Sequence, residues 1–86
     1  MKHVKMMYLK SCPYCKQAFQ MVEDLKQKYP EFQTIRIETI EENDEAAKTE
    51  GYDYWYVPTY FVDDEKLLEG VPTAEKLEFV LRSALD

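Results

Sequence analysis

The sequence predicts a single α/β domain, built on a four-stranded mixed sheet flanked by three helices. The chain has only 86 residues, a length that fits one domain spanning residues 1–86. Its apolar residues follow strand-like and helix-like spacings in the order strand, helix, strand, helix, strand, strand, helix. A strand–helix–strand unit pairs its strands in parallel and a closing hairpin adds an antiparallel pair, so the sheet should be mixed.

The first half of the chain should supply two strands and one long helix. Residues 4–9 form a short apolar run, which is typical of a central strand buried on both faces. From Pro13 the apolar residues recur every three or four positions, which predicts an amphipathic helix. Pro13 suits the first helical position, and Pro30 ends the helix. Alternation over residues 34–38 predicts the second strand.

The second half should supply a short helix, a hairpin and a last helix. A helix is predicted around residues 46–48, with Asn43 or Asp44 as its cap and Gly51 closing it. Residues 59–62 and 66–68 flank an acidic turn and therefore predict a hairpin. Thr73 should cap the last helix, whose apolar residues share one face.

Composition and charge exclude several classes of function. The chain is 45% hydrophobic and 14% aromatic, enough for a core in a small protein. Its net charge of −6 argues against nucleic acid and anionic lipid as partners. No apolar stretch approaches the roughly 18 residues of a membrane span, and no signal-like segment follows the basic start. We therefore expect a cytoplasmic protein, monomeric and without a membrane partner.

The two cysteines lie together where the first strand meets the first helix, in Cys12-Pro13-Tyr14-Cys15. Cysteines three residues apart on a helical turn can form and break a disulfide with little backbone movement. Cys12 should face the unpaired N–H groups and positive dipole end of the helix, which stabilise a thiolate. Cys15 falls on the apolar stripe and should be buried. This context predicts a redox-active pair in which Cys12 attacks and Cys15 resolves.

Other interpretations of the cysteines fit less well. A structural zinc site needs four ligands, and His3 is the only histidine, so no metal site is expected. A static disulfide closing so small a loop would stabilise the fold little.

Six aromatic residues lie within residues 51–61. Tyr60 and Phe61 should point to opposite faces of a strand, whereas Tyr54, Trp55 and Tyr56 either pack in the core or form a partner-docking surface.

The cysteine motif, followed by Lys16-Gln17-Ala18, resembles the dithiol glutaredoxin active site, and Val57-Pro58 resembles the Val-Pro pair that glutaredoxins place opposite it. The similarity covers nearly the whole chain and implies the thioredoxin fold in its glutaredoxin-like form. It also implies a cis peptide bond before Pro58 and a Val57 backbone that aligns a substrate beside Cys12.

The resemblance also assigns residues to glutathione. Lys10 matches the basic residue that meets the glycyl carboxylate, and Tyr14 matches the motif tyrosine. At the γ-glutamyl end, Thr73 and the start of the last helix are available. Here the sequence departs from the family, because Glu69-Gly70-Val71-Pro72-Thr73 replaces a Gly-Gly pair followed by a small residue and an acid.

The implied function is a thiol-disulfide oxidoreductase that reduces protein disulfides or glutathione mixed disulfides and needs no bound cofactor. Electrons would come from glutathione as co-substrate or from a flavin-dependent reductase. Three alternatives remain open at this point. They are a reductase-coupled redoxin serving an enzyme such as ribonucleotide reductase, a glutathione-dependent iron–sulfur carrier, and a non-catalytic docking module.

Overall fold

Four strands form one mixed sheet in the computed structural model, which describes all 86 residues. The strands are β1 (Val4–Tyr8), β2 (Ile37–Glu41), β3 (Thr59–Val62) and β4 (Glu65–Glu69). Their order in the sheet is β2-β1-β3-β4. β1 pairs in parallel with β2 and antiparallel with β3, and β3 pairs antiparallel with β4. The predicted mixed sheet with a closing hairpin is confirmed.

Two α-helices cover one face of the sheet. α1 (Pro13–Lys28) begins and ends where its prolines predict, and α2 (Ala74–Leu85) follows its cap at Thr73. The apolar stripes of both helices pack on the β1, β3 and β4 side chains of that face, in one continuous core. The helix residues buried in it are Cys15, Ala18, Val22, Leu25, Leu77, Val80, Leu81 and Ala84. The predicted amphipathic helices are confirmed.

The second strand lies later in the chain than the predicted residues 34–38. A 3₁₀ helix spans Pro30–Thr34, so the chain is still turning where the strand was expected. Phe32 and Ile35 are fully buried against the helices, and they anchor this turn in the core. The apolar alternation around Ile35 therefore reflects packing of a turn, and β2 begins only at Ile37.

The short helix predicted around residues 46–48 is present only as a 3₁₀ turn and does not flank the sheet as a third α-helix. Residues Ala46–Thr49 form a single 3₁₀ turn in which no residue is buried. Only Ala46 and Ala47 are apolar in this turn, too few to cover a sheet. The second face of the sheet is covered instead by Tyr52 and Tyr54, which pack on a small cluster of Met7, Ile40 and Phe61. The fold thus has two α-helices, and an aromatic segment replaces the third.

None of the helices is both long enough and apolar enough to cross a membrane.

Candidate active site

Cys12 and Cys15 occupy the start of α1, as the sequence predicted. Cys12 is the N-cap residue with extended backbone, and its carbonyl oxygen accepts the N–H of Cys15 at 3.1 Å and of Lys16 at 3.2 Å. Both cysteines are free thiols, Cys12 half-buried and Cys15 buried. The strand-to-helix junction therefore presents one thiol toward solvent and keeps the other in the core.

The two thiols differ in how readily they ionise. Cys15 is 1% exposed, and this burial raises its pKa to about 12, with the nearby Cys12 thiol adding to the shift and a hydrogen bond to the Leu9 backbone opposing it. A thiol with this pKa stays protonated near neutral pH, and the thiolate is the reactive form. Cys15 is therefore a poor nucleophile near neutral pH.

A loop containing a cis proline faces Cys12. The Val57–Pro58 peptide bond is cis, as the resemblance implied. Cys12 Sγ lies 3.9 Å from the Val57 carbonyl oxygen, and Pro58 is buried. The structure thus brings four of the predicted site residues together, Cys12, Cys15, Val57 and Pro58, although Cys12 and Val57 lie far apart in the sequence.

Residues 2–82 match the family model described as "Thioredoxin domain", which covers nearly the whole chain. The chain belongs to the thioredoxin-domain family. Its membership and its adjacent cysteine pair support a thiol redox function. No curated protein matches the sequence.

Solved structures share the fold of this thioredoxin-domain chain at low sequence identity. A mutant thioredoxin from Halobacterium salinarum NRC-1 is 22% identical over 99% of this chain and 75% of its own, with a TM-score of 0.70. The germline-specific thioredoxin Deadhead from Drosophila melanogaster is 20% identical over 95% of this chain and 79% of its own, with a TM-score of 0.67. A selenoprotein W-related protein from Vibrio cholerae is 16% identical over 99% of this chain and 98% of its own, with a TM-score of 0.57.

The side chains that the resemblance assigned to glutathione have other partners in this thioredoxin domain. Lys10 is exposed, and its Nζ lies 3.3 Å from a carboxylate oxygen of Asp44. The Thr73 hydroxyl caps α2 by accepting the Lys76 N–H at 3.1 Å. Tyr14, in the first turn of α1, is exposed. Lys10 and Thr73 thus have polar contacts within the fold, although both are exposed, as Tyr14 is.

The aromatic segment before Pro58 divides between packing and exposure. Tyr54 packs edge-on against Phe61, with ring centroids 6.3 Å apart, and its hydroxyl donates to Glu42 at 2.6 Å. Trp55 and Tyr56 are 85% and 70% exposed. The three residues therefore differ: Tyr54 is half-buried and packs against the core, while Trp55 and Tyr56 lie on the surface next to Val57.

Two carboxylates near the site were missed from the sequence. Glu41 is 5% exposed and accepts the N–H groups of Lys10 at 3.0 Å and Asn43 at 2.7 Å. Glu69 accepts the N–H groups of Trp55 and Tyr56. The sequence carried no usable signal for Glu41, because the predicted second strand stopped at residue 38, whereas β2 runs to Glu41.

No group of three or more histidine, cysteine or acidic side chains is placed to hold a metal ion.

Proposed function

We propose that this protein is a dithiol thiol-disulfide oxidoreductase that reduces disulfides of other proteins. The observation that carries the proposal is the placement of the half-buried Cys12 thiol at the start of α1, 3.9 Å from the Val57 carbonyl oxygen, with Cys15 buried one turn along. Such an arrangement has an accessible attacking sulfur, a protected second sulfur and the backbone of the cis-proline loop beside them.

The proposed reaction proceeds in two exchanges. The Cys12 thiolate attacks one sulfur of the substrate disulfide, the substrate S–S bond breaks, and the departing thiolate takes up a proton. The Cys15 thiol then loses its proton and attacks Cys12 Sγ, which releases the second substrate thiol and leaves a Cys12–Cys15 disulfide. The substrate gains two electrons and two protons, and the same number must return to the protein from an external thiol or reductase.

The backbone of Val57 suits the docking of an extended substrate segment. Its carbonyl oxygen faces the Cys12 sulfur, and a segment running past it could form a strand-like hydrogen bond, as in β-strand addition. Substrate recognition of this kind depends on main-chain atoms and tolerates different substrate sequences. We therefore expect a broad range of protein disulfides to react.

We propose a reductase or a protein dithiol as the better electron source, with glutathione a weak one. Lys10 is already paired with Asp44, and the Thr73 hydroxyl already caps α2. Val71-Pro72-Thr73 contains no acid to meet the glutathione amine, and Pro72 removes a backbone donor. An unmet charged group costs about 5- to 150-fold in affinity.

The test compares electron sources on one disulfide substrate, insulin. One assay supplies NADPH, glutathione reductase and glutathione; a second supplies NADPH and a thioredoxin-type reductase; a third supplies dithiothreitol. We expect Cys12-dependent turnover with dithiothreitol and the reductase, and slow turnover with glutathione. Cys12→Ser serves as the inactive control in each assay.

Two results would contradict these proposals separately. Turnover that is no faster than that of Cys12→Ser with any electron source would overturn the oxidoreductase function. Efficient, saturable turnover at low glutathione concentration, lost in Lys10→Glu but unaffected by changes at Thr73, would overturn the choice of reductant and indicate an ordinary glutaredoxin.

A further inference from the structure

A carboxylate at the end of β4 binds the backbone that precedes the cis proline. The Glu69 carboxylate accepts the N–H of Tyr56 at 2.9 Å and the N–H of Trp55. Its other oxygen lies 2.8 Å from Lys66 Nζ, which also donates to the Asp53 carbonyl oxygen at 3.1 Å. One carboxylate therefore satisfies two consecutive amides of a loop that has no regular hydrogen-bond ladder.

Further contacts fix the other end of the same loop. The Thr59 hydroxyl donates to the Tyr56 carbonyl oxygen, and the Gly70 N–H donates to the Pro58 carbonyl oxygen at 2.9 Å. Gly70 has φ +91°, and a side chain added there would lie against Tyr56 Cβ. The hairpin of β3 and β4 thus determines the path of the chain from Trp55 to Pro58.

The side chains carried on this fixed backbone are large, aromatic and open to solvent. Trp55 is 85% exposed and Tyr56 is 70% exposed, so core packing does not explain them. They immediately precede Val57, whose carbonyl oxygen faces the Cys12 sulfur. Tryptophan and tyrosine are the residues most enriched at the energetic centres of protein interfaces, where large rigid rings bury area at small entropic cost.

We propose that Glu69 is a positioning residue that holds Trp55 and Tyr56 as a recognition surface for protein disulfides, favouring substrates with apolar or aromatic side chains beside the disulfide. The inference rests on the proposed oxidoreductase function. Glu69 acts only through the backbone of the loop and touches neither sulfur. A small disulfide that reacts at Cys12 without contacting the aromatic rings should not depend on it.

The Glu69 carboxyl is ionised, which favours a lasting contact with the amides of Trp55 and Tyr56. The ion pair with Lys66, followed by the amides of Trp55 and Tyr56, lowers the pKa of this carboxyl to about 2. The group is therefore ionised throughout the range in which a thiol exchange enzyme works, and both amides keep a charged acceptor.

The test measures the rate at which the reduced protein is oxidised by two disulfides, insulin and the small hydroxyethyl disulfide. For Glu69→Ala we expect the second-order rate constant with insulin to fall about tenfold, because two side chains must be ordered during docking and a displaced loop misaligns the substrate. The rate with hydroxyethyl disulfide should stay within about twofold of the wild-type value. Glu69→Gln keeps a hydrogen-bond acceptor and the size of the side chain. Its rate constant with insulin should therefore lie between those of Glu69→Ala and the wild type.

Glu65→Gln is the matched control, since it removes one charge from the same strand at an exposed position. It should leave both rates unchanged. Amide hydrogen exchange at Trp55 and Tyr56 supplies a second measurement, and we expect protection in the wild type, partial protection in Glu69→Gln and loss of protection in Glu69→Ala.

Several outcomes would overturn the inference. In Glu69→Ala, the rate constants with insulin and hydroxyethyl disulfide could fall by the same factor. The insulin rate could stay unchanged although the protection of the Trp55 and Tyr56 amides is lost. That amide protection could also survive the substitution. If Glu69→Ala does not fold, the same comparisons on Glu69→Gln decide the matter. Failure of the oxidoreductase function is distinguishable, because the wild type itself would then react with neither disulfide.

Discussion

The two cysteines should have separable roles. Cys12 is partly open to solvent beside Val57, whereas Cys15 is 1% exposed and burial raises its pKa to about 12. We predict that Cys12→Ser abolishes thiol exchange altogether. Cys15→Ser should accumulate a mixed disulfide between Cys12 and the substrate, because no second thiol is present to resolve it. Mass spectrometry of the protein after incubation with a disulfide substrate would detect this adduct.

Alkylation of the reduced protein measures independently how the reactivity of Cys12 differs from that of Cys15. Iodoacetamide should modify Cys12 well before Cys15 near neutral pH, because the reagent reacts with an accessible thiolate. Peptide mapping at short reaction times identifies the modified residue. Faster modification of Cys15, or an equal loss of activity and no trapped adduct in both serine variants, would reverse or remove the proposed division of roles.

At the scale of single residues, the sequence revealed the cysteine pair but missed the carboxylates that bind the backbone of the neighbouring loops. Cys12 and Cys15 are three residues apart, so one local motif at the start of a helix was enough to identify them. Glu41 binds the Lys10 amide 31 positions away, and Glu69 binds the Tyr56 amide 13 positions away. Contacts of this kind depend on which strand ends come together in the sheet, and no local spacing indicates them.

At the scale of secondary structure, α2 depends on its cap at Thr73. The Thr73 hydroxyl accepts the Lys76 N–H at 3.1 Å, and four residues of the helix are buried in the core. We predict that Thr73→Ala lowers the free energy of unfolding by about 1 kcal/mol. Thr73→Ser keeps the hydroxyl, so its free energy of unfolding should stay close to that of the wild type. Urea unfolding followed by circular dichroism measures both.

Circular dichroism is the appropriate probe for these unfolding experiments. Trp55 is the only tryptophan, and it is already 85% exposed in the folded protein, so its fluorescence should change little on unfolding. Equal stability of Thr73→Ala and the wild type would mean that the hydrogen bond seen at the start of α2 contributes nothing net.

The elements that were predicted well are those with strong local signals. α1 has a proline at its first position, a proline beyond its end and an apolar stripe between them, so its limits agree closely with the prediction. The bounds of β2 and the kind of helix at residues 46–49 were predicted less well, because the local signals there are weak. The stretch around Ile35 packs as a turn against the helices, and the segment of Ala46–Thr49 is too short and too polar to compete with Tyr52 and Tyr54 for the open face of the sheet.

In the molecule as a whole, the central strands of the sheet adjoin the loops of the candidate site, and the edge strands supply side chains that bind those loops. The central strand β1 leads into the loop that carries Cys12, and the loop that carries Pro58 leads into the central strand β3. The edge strands β2 and β4 each end in a glutamate that binds the backbone of one of these loops: Glu41 holds Lys10, and Glu69 holds Trp55 and Tyr56. At the end of the molecule that carries Cys12 and Pro58, two carboxylates therefore hold the loop backbones to the edges of the sheet.

This arrangement predicts how the stability of the molecule depends on pH. The pKa of Glu41 is lowered, chiefly by the Lys10 N–H, and that of Glu69 is lowered to about 2, chiefly by Lys66. The corresponding carboxyls of the unfolded chain titrate near ~4.3. Between these values the unfolded chain binds more protons than the folded one, so acid favours unfolding. The stabilisation is fully present above about pH 5 and is lost as the pH falls toward 2.

We therefore predict that the free energy of unfolding decreases steadily as the pH falls from about 5 to about 2, and that Glu41→Gln and Glu69→Gln each reduce this slope. A glutamine does not titrate, so each variant removes one of the groups whose pKa differs between the folded and unfolded chains. Glu65→Gln, on an exposed residue of β4, should have the wild-type slope. Urea unfolding at a series of pH values provides the comparison. If Glu41→Gln and Glu69→Gln keep the full wild-type slope, the two carboxylates do not bind the loop amides as described, and the acid sensitivity must arise elsewhere in the molecule.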